Sequence, residues 1–131
     1  MSRDVITLTV PAKSEYARTV RMTAAALAGR TSMSYDDVED VRMATDEAFV
    51  YAAETHEEGA DLRFVFELEG DTLRMDVALG GKPADSDEEA ERAAAYAVFI
   101  LESVCDEYKF ESDESGAHLR IVKRAGSGDA D

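Results

Sequence analysis

Residues 34–57 read SYDDVEDVRMATDEAFVYAAETHE, and the spacing of apolar side chains in this stretch decides the fold. Val38, Val41, Ala44, Ala48 and Ala52 recur at steps of three and four, with Phe49 beside them, so a helix over about 35–56 has one inward face. Ser34 followed by Asp37 resembles a capping box in which Asp takes the role usually given to Glu, and this places the helix start. A long helix with one apolar stripe must lie on another element, and the flanking sequence supplies it.

Upstream, VITLTV (5–10) alternates, with Ile6, Leu8 and Val10 on one face and Val5, Thr7 and Thr9 on the other. Period two marks a half-buried strand, and Pro11 stops it because proline has no amide to give a ladder. Residues 14–30 have helical spacing, with Tyr16, Val20, Ala24, Leu27 and Ala28 on one stripe. Gly29 stands near the end, where a left-handed residue is useful. Downstream, 62–69 and 72–79 alternate on either side of Gly70-Asp71, a short hairpin signal. Gly80-Gly81-Lys82-Pro83 reads as a flexible loop. Ser86 with Glu89 makes a second capping box and opens a third helix to about Val104. Its second half is apolar nearly all round (Tyr96, Val98, Phe99, Ile100, Leu101), which predicts burial. Residues 108–112 and 117–123 form a second hairpin around 113–116, and AGSGDAD (125–131) is expected to be a disordered tail. The order β-α-α-β-β-α-β-β describes one domain over 1–124. It is an α/β (α+β) two-layer sandwich in which three helices cover one face of a five-stranded mixed, mostly antiparallel sheet.

Composition narrows the function. A chain of 131 residues, 45% hydrophobic, has the length of one domain with a real core. No apolar run reaches the ~18 residues of a membrane span. MSRDVITLTV lacks the basic-then-apolar plan of a secretory signal, so a cytoplasmic protein is expected. The single Cys105 cannot form an internal disulfide, in keeping with a reducing compartment. Acids outnumber bases 29 to 14, for a net charge of −15. Such a chain repels a nucleic-acid backbone and gains nothing from an anionic membrane, so its natural partners are basic protein surfaces, unless the charge serves solubility alone. His56, His118 and one cysteine make no metal-ligand spacing, and no metal is expected. No Gly-x-Ser-x-Gly elbow, Walker loop or Ser/His/Asp constellation stands out. Met22, Met43, Met75, Tyr16 and Tyr96 fall where core residues would.

This element order, with VPAKSEYARTVRMTAAALAG (10–29), YDDVEDVRMATDEA (35–48) and ILESVCDEY (100–108), resembles the bacterial anti-sigma factor/serine kinase family over about residues 5–123. The resemblance implies the ATPase fold shared by histidine kinases, gyrase B and Hsp90-type chaperones. A typical member silences a sigma factor by binding it and phosphorylates a serine of an anti-anti-sigma protein. Its first nucleotide motif is a general-base Glu with a magnesium-ligating Asn four residues on. Here the Glu is Glu47 and the Asn position is Tyr51, although magnesium demands compact hard oxygens. The alternative reading of Glu47 is a solvated helix acid. The second motif ends the third strand with an Asp for the adenine amine, followed by a Gly. Leu79 stands at that Asp, with Gly81 kept, and an amine left unpaired there costs about 1–3 kcal/mol. The third motif, a Gly-x-Gly run whose bare amides meet phosphates, falls on Ala94, Ala95 and Ala97. The lid before it is short and carries Asp85, Asp87, Glu88, Glu89 and Glu91, which would repel a triphosphate.

The resemblance further implies a partner-binding arginine on the exposed face of the first helix. Arg18 matches it and Arg21 lies on the same general face; the plainer reading is two solvated charges paired with Glu15. The expected protein therefore sequesters a sigma factor or an anti-anti-sigma partner, uses no cofactor, and has lost ATP binding and kinase activity. The alternative is an active ATP-dependent protein-serine kinase, with Glu47 catalytic and ATP and Mg²⁺ bound. Homodimerisation through the first strand and helix is also implied.

Overall fold

The computed structural model describes residues 3–81 and 88–126. The chain enters through β1 (Asp4–Pro11), makes a short 3-10 turn (Ser14–Tyr16), and continues as α1 (Ala17–Ala28) and α2 (Tyr35–Glu54). It then forms β2 (Asp61–Glu69), β3 (Thr72–Leu79), α3 (Glu88–Val104), β4 (Glu107–Asp113) and β5 (Gly116–Arg124). The predicted order of elements is the observed one, and the architecture is a five-stranded sheet with three helices. The strands lie in the order β1-β2-β3-β5-β4, and all four pairings are antiparallel. The expected mixed sheet is thereby corrected. β3 and β4 do run the same way, linked across α3, but the last hairpin inserts β5 between them, so they never share a ladder.

Register places the core. Phe64 faces Val77, Phe66 faces Met75 and Leu68 faces Leu73 across β2 and β3. Met75 and Val77 in turn face Ile121 and Leu119 of β5. Period-two alternation sends this set to the helical side, where Phe49 of α2 stacks on Phe64 with ring centroids 6.3 Å apart. Small residues on the facing stripes (Ala24 and Ala28 of α1, Ala44, Ala48 and Ala52 of α2) are buried and let the helices approach closely.

The capping box at α2 is present in full: Asp37 donates its amide to the Ser34 hydroxyl at 3.1 Å, and Ser34 donates its own to the Asp37 carboxylate at 3.2 Å. Gly70 sits at φ +59° in the β2–β3 turn, where an L side chain is strained. Gly29 is a correction. Its φ is −66°, and α1 ends right-handed, with Arg30 and Thr31 still bonding back to Leu27 and Ala28.

The expected burial of α3's second half is also corrected. Ala97, Leu101 and Val104 are buried, but Tyr96 is 59% exposed and Phe99 63%. Steps of four and three put the first set on one face, and Tyr96 and Phe99 fall on the other, where nothing among the described residues covers them. Met22 and Met43 are exposed too, leaving Met75 the buried methionine of that predicted core group. Ala125 and Gly126, read from sequence as the start of a tail, donate their amides to the Asp71 carbonyl and the Asp37 carboxylate. The rest of that tail and the Ser86 cap lie outside the described residues. Among the described residues no helix is long and apolar enough to cross a membrane.

Candidate functional site

Helical spacing puts Glu47 and Tyr51 on the flank of α2 turned away from α1, one turn apart. The Glu47 carboxyl is pushed above its ordinary value, first by burial and then by the adjacent Asp46 charge. Raising a carboxylate's basicity suits it to accept a proton. Tyr51 has a different environment. Its ring packs against Phe110 of β4 at 5.1 Å and 48°, and Phe110 meets Tyr108 edge-on at 6.3 Å. The Tyr108 hydroxyl then donates to Glu102 of α3 at 3.1 Å. A row of three aromatic rings therefore runs from α2 along β4 to α3.

Leu79 ends β3 half-buried and packed against the core. Of the two glycines that follow, the constrained one is Gly80. Its amide donates to the Thr55 hydroxyl at 2.8 Å, and a Cβ there would stand 2.0 Å from the Thr55 carbonyl oxygen. A Cβ on Gly81 would meet nothing within 4 Å. Gly80→Ala should therefore destabilise by about 1–3 kcal/mol or more, by forcing the end of α2 from the end of β3. Gly81→Ala should leave the urea midpoint where it is; equal midpoints for both variants would refute this reading of the turn.

Ala95 is exposed and Ala97 buried, so the two do not share a face. Both lie well inside α3, which is already helical at Glu88. Only the first four amides of a helix are free, so those of residues 95 and 97 serve the helix ladder and cannot also cradle phosphate. The acidic lid lies largely outside the described residues. Set against magnesium and a triphosphate, the described residues fit poorly. At the positions that the resemblance assigns to nucleotide, Tyr51 presents a ring packed on Phe110, Leu79 a hydrocarbon, and Ala95 and Ala97 amides engaged in the helix.

Residues 10–123 match the histidine kinase-like ATPase domain. The chain belongs to that family. Serine-protein kinase RsbW of Halalkalibacterium halodurans is 28% identical over 135 residues, which cover 92% of this chain and 83% of the relative. The RsbW of Bacillus velezensis is 28% identical over 139 residues, covering 93% and 86%. That of Bacillus cereus reaches 37% over 82 residues, covering 61% and 51%. The ATPase fold that the resemblance implied is thus the one that matches, and these relatives carry the name of a serine-protein kinase.

The two arginines part company. Arg18 is exposed and in no ion pair among the described residues. Arg21 lies lower on α1 and binds both carboxylate oxygens of Asp46, at 3.0 and 3.2 Å. Its Nε is buried without a hydrogen-bond partner. Asp46, rather than Glu15, is its counter-ion, a cross-helix pair that local spacing could not reveal.

Elsewhere, Cys105 is half-buried and burial pushes its thiol up to about 12, so at neutral pH it is a protonated packing group. His56 donates from Nδ1 to the Ala52 carbonyl at 2.8 Å. His118 joins Asp76 (2.9 Å) and Ser115 (2.8 Å) on the sheet's outer face. Ser115 also donates to Asp113 at 2.6 Å, which ties its hydroxyl into the β4–β5 turn. Sequence reading missed this chain because Asp76 and His118 are 42 positions apart.

Proposed function

We propose that this chain is a cytoplasmic regulator that acts by holding a protein, a sigma factor or an anti-anti-sigma partner, and neither binds nor cleaves ATP. The observation that carries this reading is the Tyr51 ring packed on Phe110 at the position where the family motif requires a magnesium ligand. The interior position of Ala95 and Ala97 in α3 and the apolar packing of Leu79 support it independently. Binding then depends on surface alone: Arg18 on α1 is an exposed cation in a chain of net charge −15, and it is free to reach a partner carboxylate. β1 lies at an edge of the sheet, where a second copy could pair with it, and homodimerisation belongs to the same proposal.

Calorimetric titration with Mg·ATP should give no saturable heat at millimolar nucleotide. Phosphate from labelled ATP should not appear on serine of an added anti-anti-sigma protein. A micromolar affinity that disappears with Glu47→Ala or on chelating magnesium would overturn the proposal. It would establish the second reading, an active serine kinase, which the raised Glu47 carboxyl favours.

A further inference from the structure

We propose that the hollow between the start of α1 and the second half of α2 receives an apolar side chain from a basic segment of the partner protein. This inference rests on the reading of the chain as a protein-binding regulator and says what its partner presents. The hollow is a shallow concavity open to solvent that offers about 430 Å³, within the roughly 300–1,000 Å³ range of binding pockets. Ala17 of α1 and Phe49, Val50 and Ala53 of α2 give it apolar walls. Val50, 48% exposed, is an aliphatic side chain left in water beside a concavity.

The rim carries Glu54 and Glu58. Neither is in an ion pair among the described residues, and Glu57 between them in sequence is exposed and unpaired as well. The Lys13 stem passes Gly59, next in sequence to Glu58, so a cation also stands near the rim. Two unpaired carboxylates on the rim of an apolar hollow, with a third next to them in sequence, complement an aliphatic or aromatic anchor flanked by Lys or Arg, the pattern of an amphipathic basic helix. A nucleic acid or an anionic lipid surface would meet the same carboxylates with like charge. At 100° per residue, Ala53 lies about 120° around α2 from Glu47 and about 160° from Tyr51, with Val50 on the surface between Ala53 and Glu47. Ala53, the position that the test fills, therefore lies off the Glu47–Tyr51 stripe, while Val50 and Glu54 border it.

The probes are two 18-residue amidated helical peptides of equal charge, one alternating Leu with Lys faces and one Ala with Lys faces, read by fluorescence anisotropy at physiological salt. The Leu/Lys peptide should bind at least ~10-fold more tightly, the value of burying one large aliphatic side chain. Ala53→Trp, which fills the hollow, should abolish that advantage while both peptides keep their common charge attraction. Val50→Ser, at an exposed position that the fold does not need, should reduce the advantage should the tryptophan variant fail to fold. Reversing the rim with Glu54→Lys and Glu58→Lys should weaken both peptides together. Equal binding of the two peptides to the native chain, or an advantage that survives both hollow variants, would overturn the proposal. A native dimer that Ala53→Trp converts to monomer would also overturn it, because the occupant would be a second copy. Should the native chain bind Mg·ATP, the functional reading above would fall, whereas the peptide comparison would still decide the hollow.

Discussion

Lys123→Ala should cost about 3–5 kcal/mol, the usual consequence of stranding a buried charge without its partner. The side chain of Lys123 is only 8% exposed. Its ammonium donates to Asp40 at 3.0 Å and to the Val104 carbonyl at 3.1 Å, and lies 3.8 Å from Asp37. One nitrogen thus joins the first turns of α2, the last turn of α3 and the end of β5. For a domain with about 5–15 kcal/mol of total stability, the loss is a large fraction. Its pH signature has a definite sign. Burial pushes the Asp37 carboxyl up, yet hydrogen bonds from the Gly126 and Ser34 amides and the charge of Lys123 bring it below its ordinary 3.8. A depressed carboxyl adds stability above the unfolded pKa and loses it as pH falls through the folded value. Without Lys123 the burial remains and the attraction does not, so acid unfolding should begin at higher pH. Lys123→Met, which keeps the stem, should show the same acid shift with a smaller loss at neutral pH. Urea and acid titrations followed by circular dichroism measure both, and a native-like acid midpoint for either variant would sink the account.

Periodicity told which face of each element is inward, but not what would lie against it. Hence β1, α1, α2 and both hairpins could be read from short windows, while α3 could not be read fully. Its apolar residues nearly surround the axis, and window-based reading takes that as burial. The sheet offers only one side to the helix, so Leu101 and Val104 go inward and Tyr96 and Phe99 stay in water. The same limit explains Gly29 and Gly80. A glycine after a helix suggests a left-handed cap, but α1 closes right-handed. A Gly-Gly pair suggests an ordinary loop, and only the approach of Thr55, 25 positions earlier, shows that the first of the two must lack a Cβ.

The candidate site was legible as substitutions and illegible as geometry. Tyr51 takes the place of an amide only through the resemblance, whose motif of fixed spacing names the position. That the ring is held by Phe110, 59 residues on, comes from β4 closing against the helical layer. Ala95 and Ala97 read as methyls intruding on a phosphate loop. What the sequence did not show is that the helix has already begun at Glu88, so the amides at 95 and 97 serve the helix ladder. Lys123 drew no notice in sequence, since an isolated lysine in an alternating strand is usually solvated. It faces inward because Leu119, Ile121 and Lys123 share one side of β5, and Asp37 and Asp40 meet it there.

Arg18→Glu should weaken capture of the protein partner by roughly 30- to 1,000-fold, the range for losing a central interface arginine and turning its charge against the site. The fold should not notice, because Arg18 is exposed and in no ion pair among the described residues. Arg21→Ala should behave in the opposite way. Its guanidinium already holds Asp46 on the neighbouring helix, with 28% and 39% of the two side chains exposed. Partial exposure screens that pair, so its loss should cost no more than about 1 kcal/mol. Partner affinity should fall only as far as α1 and α2 loosen against each other. Sigma factors and anti-anti-sigma proteins from the same organism are the proteins to titrate against the native chain and both variants, with thermal melts alongside. Arg18→Glu binding as tightly as the native chain would remove the exposed face of α1 from the interface. Arg21→Ala losing affinity as steeply as Arg18→Glu, at an unchanged melting temperature, would show that the Asp46 pair opens on binding and that both arginines reach the partner.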